Sequence, residues 1–217
     1  MVRLSALADL DFLQIGLLLA VLIASLSVHE AAHAWAADRL GDPTARRLGR
    51  LSLNPLVHID PIGTVLFPLV AIATGVPLIG WAKPVPVDMR NLQAPRRDFA
   101  LVAAAGPASN LVMAAGAAAT FTAMAALGDE SGGVRYALVV ALFNAVLINV
   151  LLAVFNLIPV PPLDGGNILI GVLPASMVGV VERIRPYGIL VLYGLMFSGA
   201  LARIIYPVQN ALVGWLL

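Results

Sequence analysis

The chain turns on the stretch Ser27-Val28-His29-Glu30-Ala31-Ala32-His33-Ala34-Trp35, which follows a run from Phe12 to Val28 that carries no charge. In a helix, residues four apart share a face, so His29 and His33 lie on one side, one turn above the other. Two imidazoles at that spacing suit one Zn²⁺, and Glu30 between them suits the general base that activates water at such a metal. Only three His and three Glu occur among 217 residues, so their meeting within five positions is not a clustering of common residues. The competing reading is a buried helix whose two histidines are simply hydrogen-bonded. Position weighs against it. A helix from Phe12 to about Asp38 is roughly 40 Å long at about 1.5 Å per residue, and a bilayer core is about 30 Å thick. The histidines then fall in the second half of a membrane span, where ionisable groups are costly and mark function.

Composition fixes the class. Hydrophobic residues make up 60% and charged residues 12%, with a mean hydropathy of +0.95. Soluble chains carry about 25% charged residues. The expectation is an all-α polytopic membrane protein forming a single domain over 1–217. The net charge of +1, spread over short loops, gives no nucleic-acid partner. Without cysteine there is no disulfide, thiolate ligand or thiol nucleophile, so any metal must be held by nitrogen and oxygen. The first apolar run leads straight into His29 and is not read as a cleavable signal.

Outward from the motif, Gly41-Asp42-Pro43 stops the helix, and the next loop carries Arg46, Arg47 and Arg50. Leu53-Asn54-Pro55-Leu56-Val57-His58 brings the third histidine, an auxiliary ligand candidate or else a hydrogen-bonded structural residue. Residues 61–82 are uncharged but broken by Gly63, Pro68, Gly75, Pro77 and Gly80, which fits a kinked or re-entrant segment. The alternation in Gly80-Trp81-Ala82-Lys83-Pro84-Val85-Pro86-Val87 cannot be helical and predicts a short extended, β-hairpin-like stretch near 80–87. Phe99–Leu127 can span; Gly106-Pro107 within it fits close helix packing with a kink, and Asn110 there needs a partner. Tyr136–Ile158 can span and carries Asn144, Asn149 and Asn156. Asp164 is the only acid between Glu130 and Glu182 and sits in a Pro/Gly-rich break. A lone carboxylate in such surroundings calls for a cation; the alternative is a polar cap for the segment at 167. With Tyr187–Ala202 and an apolar tail, the expectation is about five to six membrane segments, one of them re-entrant.

The loops 39–50 and 83–97 are rich in Lys/Arg, 182–185 mildly so, and the turn at 128–135 is acidic. By the positive-inside rule the first three are cytoplasmic and the last is outside, which requires 61–82 to enter and leave on one side. The expected location is the cell membrane, with the motif and Asp164 at matching depth toward the cytoplasmic face.

His29-Glu30-x-x-His33 late in a membrane helix, Gly106-Pro107 in a later span and Asn156-Leu157-Ile158-Pro159-x-Pro161-Pro162-Leu163-Asp164-Gly165-Gly166 together resemble the site-2 protease family of intramembrane zinc metalloproteases. Asn54-Pro55-x-x-His58 and Gly80-Trp81-Ala82-Lys83-Pro84 resemble features of its compact bacterial members, which lack a PDZ or nucleotide-sensing domain. The resemblance runs from about residue 12 to 205. It implies one Zn²⁺ on His29, His33 and Asp164, with Glu30 as general base. It implies Asn156 for the oxyanion or substrate positioning, and 61–87 as a region where an unwound substrate adds as a strand. The implied reaction is peptide hydrolysis within or near transmembrane segments of a membrane protein substrate, single-span by preference, in the lipid bilayer, with any regulatory partner unidentified.

Two other classes compete on the residues alone. Intramembrane His, Glu and Asp would also serve an ion transporter, but the chain has no repeated halves and that reading gives no reason for the His-Glu-x-x-His spacing. A non-proteolytic zinc-binding membrane protein needs the ligands and has no use for Glu30.

Overall fold

The computed structural model describes residues 12–75, 79–127 and 133–217; the acidic turn at Asp129-Glu130 and Pro77 lie outside the described residues. Helix α1 spans Phe12–Arg39 without a break through the His motif. It stops where Gly41 takes a φ of 110°, a conformation open to glycine, and Asp42 N–H returns to Ala37 O at 2.9 Å. A single turn, α2 (Thr44–Arg47), follows. A π-helical turn, Pro61–Leu66, begins on Asp60, whose carboxylate accepts from Ile62 N and Gly63 N, and runs into α3 (Phe67–Thr74). Then come α4 (Pro95–Ala125), α5 (Gly133–Asn156), α6 (Asp164–Val172), α7 (Ala175–Ile184), α8 (Gly188–Phe197) and α9 (Ala200–Leu216).

Among the described residues three helices are long and apolar enough to cross a membrane: Gln14–Arg39, Pro95–Ala125 and Gly133–Asn156. The pair Ala175–Phe197 and Ala200–Leu216, bent by 78°, makes a fourth if it crosses as one broken span. This is fewer than the five to six segments expected. Pro61–Thr74, in the stretch expected to be re-entrant, is too short to cross, and the C-terminal apolar run bends beside Gly199, at φ 73°. The hairpin-like stretch near 80–87 is also corrected. No strand forms among the described residues, and 79–88 is irregular backbone. Pro84 and Pro86 have no N–H to give a ladder, and neighbouring loops and side chains bind the groups that remain.

Helix α4 is the central element, packed against α1, α5 and α6. Its buried Val102, Gly106, Asn110, Ala114 and Ala118 recur every four residues, a stripe of mostly small side chains that lets neighbouring helices approach closely. On α1 the buried Ser25, His29, His33 and Ala37 recur at the same interval. The two stripes bring the histidines against α4. A larger apolar cluster takes in Ala114 and Ala118 further along that stripe, with Val146, Val150 and Val154 of α5, Leu192 of α8 and Leu201 and Ile205 of α9.

Candidate active site

His29, Glu30 and His33 are 4%, 9% and 8% exposed, so three ionisable side chains are buried within five residues of one helix. Asp164 comes to them from the far end of the chain. It opens α6, where Leu163 occupies the cap position, so the carboxylate does not cap the helix as the alternative reading had it. Instead Asp164 Oδ2 lies 3.1 Å from His29 Nε2 and 3.4 Å from His33 Nε2, and the two Nε2 atoms are 3.0 Å apart. Those three atoms form a nearly equilateral triangle.

The rings' other nitrogens determine what the triangle is. His29 Nδ1 lies 2.6 Å from Asn110 Oδ1, and His33 Nδ1 lies 2.7 Å from Val102 O. Both partners are acceptors, so each ring carries its hydrogen on Nδ1 and turns a bare Nε2 lone pair toward the centre. Two lone pairs and a carboxylate oxygen then face one another, and Asp164 Oδ2 is buried with no hydrogen-bond donor. Such a cluster repels itself unless a cation stands in it. Tetrahedral zinc with ligands at about 2.0–2.2 Å sets neighbouring ligand atoms about 3.3–3.6 Å apart, within a few tenths of an ångström of the 3.0, 3.1 and 3.4 Å edges observed. The residues present therefore fit a zinc ion, and His29, Glu30 and His33 also form a group with ligand atoms within 4.8 Å of one another.

Behind the triangle runs a buried chain of amides. Asn110 Nδ2 donates to Asn149 Oδ1 at 2.8 Å, and Asn149 Nδ2 donates to Ser25 Oγ and Ala145 O, both at 2.9 Å. The partner that Asn110 needs is thus His29 on one side and Asn149 on the other. Neither Asn149 nor Ser25 stood out as a site residue in the sequence; the signal was there, because Asn149 and Asn156 are seven residues apart on one face of α5. Gly106 completes the pocket. A Cβ on it would fall 2.6 Å from His29 Cε1 and closer still to His33 Nε2, so the α4 backbone lies directly on the imidazole pair.

In front of the triangle is a cavity of about 740 Å³, lined by His29, Glu30, His33 and Asp164 and walled largely by apolar side chains such as Phe99, Leu152 and Phe155. Asn156 lines it too; its Nδ2 donates one hydrogen to Leu152 O at 2.9 Å and keeps the other. Asn167, unremarked in the sequence, lines the same cavity and accepts from Arg185 at 3.2 Å. His58 does not join this group. It is buried elsewhere, Nε2 donating to Ser52 O at 2.8 Å, while its carbonyl takes Lys83 N–H at 2.8 Å.

The irregular 79–88 segment lies across the cavity as a strap. Trp81 N donates to Gly63 O at 3.2 Å, and Thr64 Oγ1 donates to Trp81 O at 2.8 Å. Val85 N donates to Glu30 Oε2 at 2.9 Å. At the far end Asp88 N donates to Asp42 Oδ2 at 2.7 Å. Burial alone would raise the Asp42 carboxyl, but the Thr44 hydroxyl, the Asn91 amide and the N–H groups of Asp88 and Thr44 outweigh it and hold it below the ordinary carboxylate range. The exposed Asp88 carboxylate is held down at about 2 by its hydrogen bonds to the Arg90 side chain and backbone N–H.

Comparison with known proteins bears on the same residues. The profile described as Peptidase family M50 matches residues 17–199. A Bacillus subtilis (strain 168) protein named as a zinc metalloprotease, YwhC, is 36% identical over 195 residues, covering 89% of this chain and 86% of its own. Rip2 of Mycolicibacterium smegmatis, also named as a zinc metalloprotease, is 30% identical over 188 residues, covering 86% of this chain and 69% of its own. Rip2 of Mycobacterium tuberculosis is 34% identical over 144 residues, covering 66% of this chain and 52% of its own. No solved structure matches. With the profile covering most of the chain and apolar helices suited to a multi-pass membrane protein, the chain belongs to peptidase family M50, the site-2 protease family of zinc metalloproteases.

Proposed function

We propose that the protein is an intramembrane zinc endopeptidase that cuts peptide bonds within or near transmembrane segments of membrane proteins, as in regulated intramembrane proteolysis. The observation that carries the reading is the triangle of His29 Nε2, His33 Nε2 and Asp164 Oδ2, 3.0–3.4 Å on a side, with Glu30 beside it in the same cavity. His29, His33 and Asp164 would hold one zinc ion. Bound there, zinc supplies Lewis acidity toward the attacking water and the scissile carbonyl. Glu30 takes the proton from the water as its oxygen bonds to the carbonyl carbon, then hands that proton to the amine nitrogen as the C–N bond breaks. Asn156 gives its remaining amide hydrogen to the carbonyl oxygen as negative charge builds there. The Asn110 and Val102 acceptors hold a hydrogen on each Nδ1 and so turn both Nε2 atoms inward.

The substrate is a membrane protein, single-span by preference, because the cavity walls are mostly apolar and a lone helix is the easiest to draw aside and unwind. The basic loops carrying Arg39, Arg46, Arg47, Lys83 and Arg90 support a cytoplasmic-facing site in the cell membrane. The apolar Pro61–Thr74 segment, too short to cross, supports a re-entrant element beside that site. The test is a pair of variants in purified enzyme with a reporter transmembrane substrate. Glu30→Gln should keep its zinc and lose cleavage; normal cleavage by that variant removes Glu30 as the base. Asp164→Asn should lose zinc affinity, and unchanged zinc content would remove it from the ligand set.

A further inference from the structure

Arg39 at the end of α1 and Arg46 and Arg47 in α2 are exposed, whereas Arg50, just beyond α2, is buried. Arg50 is 7% exposed. A guanidinium keeps its charge inside a protein and must be satisfied there, so its partners indicate why it is buried. They are backbone carbonyls of the strap: Nη2 donates to Lys83 O at 2.5 Å and to Pro84 O at 3.3 Å. Arg50 is itself fixed, its N–H bonded to Ala45 O at 2.8 Å. The next residue of the strap is Val85, whose N–H sits on Glu30 Oε2. Pro84 and Pro86 have no N–H, so within 84–86 Val85 owns the sole backbone donor and directs it to this carboxylate.

From this arrangement we propose that Arg50 is a positioning residue of the active site: by gripping the Lys83 and Pro84 carbonyls it holds the Val85 N–H on Glu30 and so sets where that carboxylate points. The inference rests on the reading of Glu30 as general base. The clamp needs arginine. Both bonds leave Nη2 of a rigid, planar guanidinium that fixes their direction, whereas a lysine ammonium sits on a flexible stem. The grip sits one residue from the Val85 donor. His58 O holds Lys83 N–H from the other side, so residue 83 is fixed at both of its backbone groups. Arg50 touches neither the metal ligands nor the reacting atoms; it acts through the strap alone.

The test uses full-length enzyme, Arg50→Ala and Arg50→Lys, with two readouts. The first is hydrogen–deuterium exchange of metal-free protein across 84–86, where the Val85 amide is the single backbone site. The clamp predicts exchange about 10-fold faster in Arg50→Ala, the mark of local opening. The second is steady-state cleavage by zinc-loaded protein. The clamp predicts that kcat falls about 10–100-fold, part of the 10²–10⁴-fold a general base contributes, with KM within about 3-fold and zinc content unchanged. Arg50→Lys, which keeps the charge and N–H donors on a flexible stem, should fall between. Unaltered Val85 exchange in Arg50→Ala, or a change confined to KM, overturns the proposal. Should Arg50→Ala lose its zinc or its fold, Arg50→Lys decides by the same two criteria. Glu30→Gln separates the two readings: if it cleaves normally the base assignment fails, and if it is inactive while Arg50→Ala behaves as wild type, only the clamp fails.

Discussion

His29 Nδ1 and Asn110 Oδ1 meet at 2.6 Å across the α1–α4 interface, and that bond dictates which nitrogen of His29 is left bare. Because Asn149 holds the amide of Asn110 from behind, the oxygen cannot rotate away. Asn110→Leu keeps the volume and removes the acceptor. Zinc affinity should fall about 10–100-fold, read by competition with a chromogenic chelator. Asn149→Leu acts one bond further out and should fall in the same direction by less. Undiminished affinity in Asn110→Leu would detach this amide chain from the metal site.

Two glycines of α4 make a paired test of the close approach. A Cβ at Gly106 would drive into both imidazoles, and one at Gly116, ten residues on, would meet nothing within 4 Å. Gly106→Ala should therefore lose zinc and activity. Gly116→Ala should keep both and gain up to about 1 kcal/mol of helix stability. Metal content by mass spectrometry and thermal melting distinguish the two. Equal behaviour would mean that α4 does not press on the histidines.

The triangle predicts how the fold responds to metal removal. With the ion gone, two lone pairs and a carboxylate confront each other in a buried space. Stripping zinc with a strong chelator should lower the melting temperature, and returning it should restore the loss. The restored stability should grow with free zinc as RT ln(1 + [Zn]/Kd), about 2.7 kcal/mol at one hundred times Kd. A melting temperature indifferent to zinc would sink the site as described.

Asp42 gives the strap a pH dependence of definite sign. Its carboxyl lies below the ordinary value in the folded state, so its contribution is complete above about pH 5 and is lost as pH falls through about 4 and below. Protection of the 85–91 amides, taken relative to the intrinsic exchange rate at each pH, should fall on acidification through that window. Asp42→Asn should already exchange fast at pH 7 and show little further change. If wild type and variant follow the same acid curve, Asp42 does not anchor Asp88.

What the sequence disclosed and what it withheld divide along chain distance. His29, Glu30 and His33 were legible because one helix places all three, and a helix is a local structure. Asp164 was reachable as a lone acid in a broken apolar region. Val85 and Glu30 are 55 positions apart, and Ser25 and Asn149 are 124 apart. The first is made by the strap lying on α1 and the second by α5 packing against α1, and no local pattern records them. The number of spans was harder to read for a related reason. Hydropathy counts apolar residues and does not show where a helix ends or bends, as at Gly75 and Gly199. The strand expected near 80–87 failed because prolines that forbid a helix also remove the donors a strand needs.

The run Pro84-Val85-Pro86 finally bears on what can settle at the mouth of the cavity. Its one N–H is committed to Glu30 and the Pro84 carbonyl to Arg50, so this stretch of rim has no backbone donor to offer and keeps the carbonyls of Val85 and Pro86. On the proposed reading, a folded transmembrane helix, with its N–H groups closed within itself, would find little there to bind, whereas an opened chain would bring free N–H groups to the carbonyls that remain. Selection at the rim would then go by the state of a backbone rather than by the identity of its side chains.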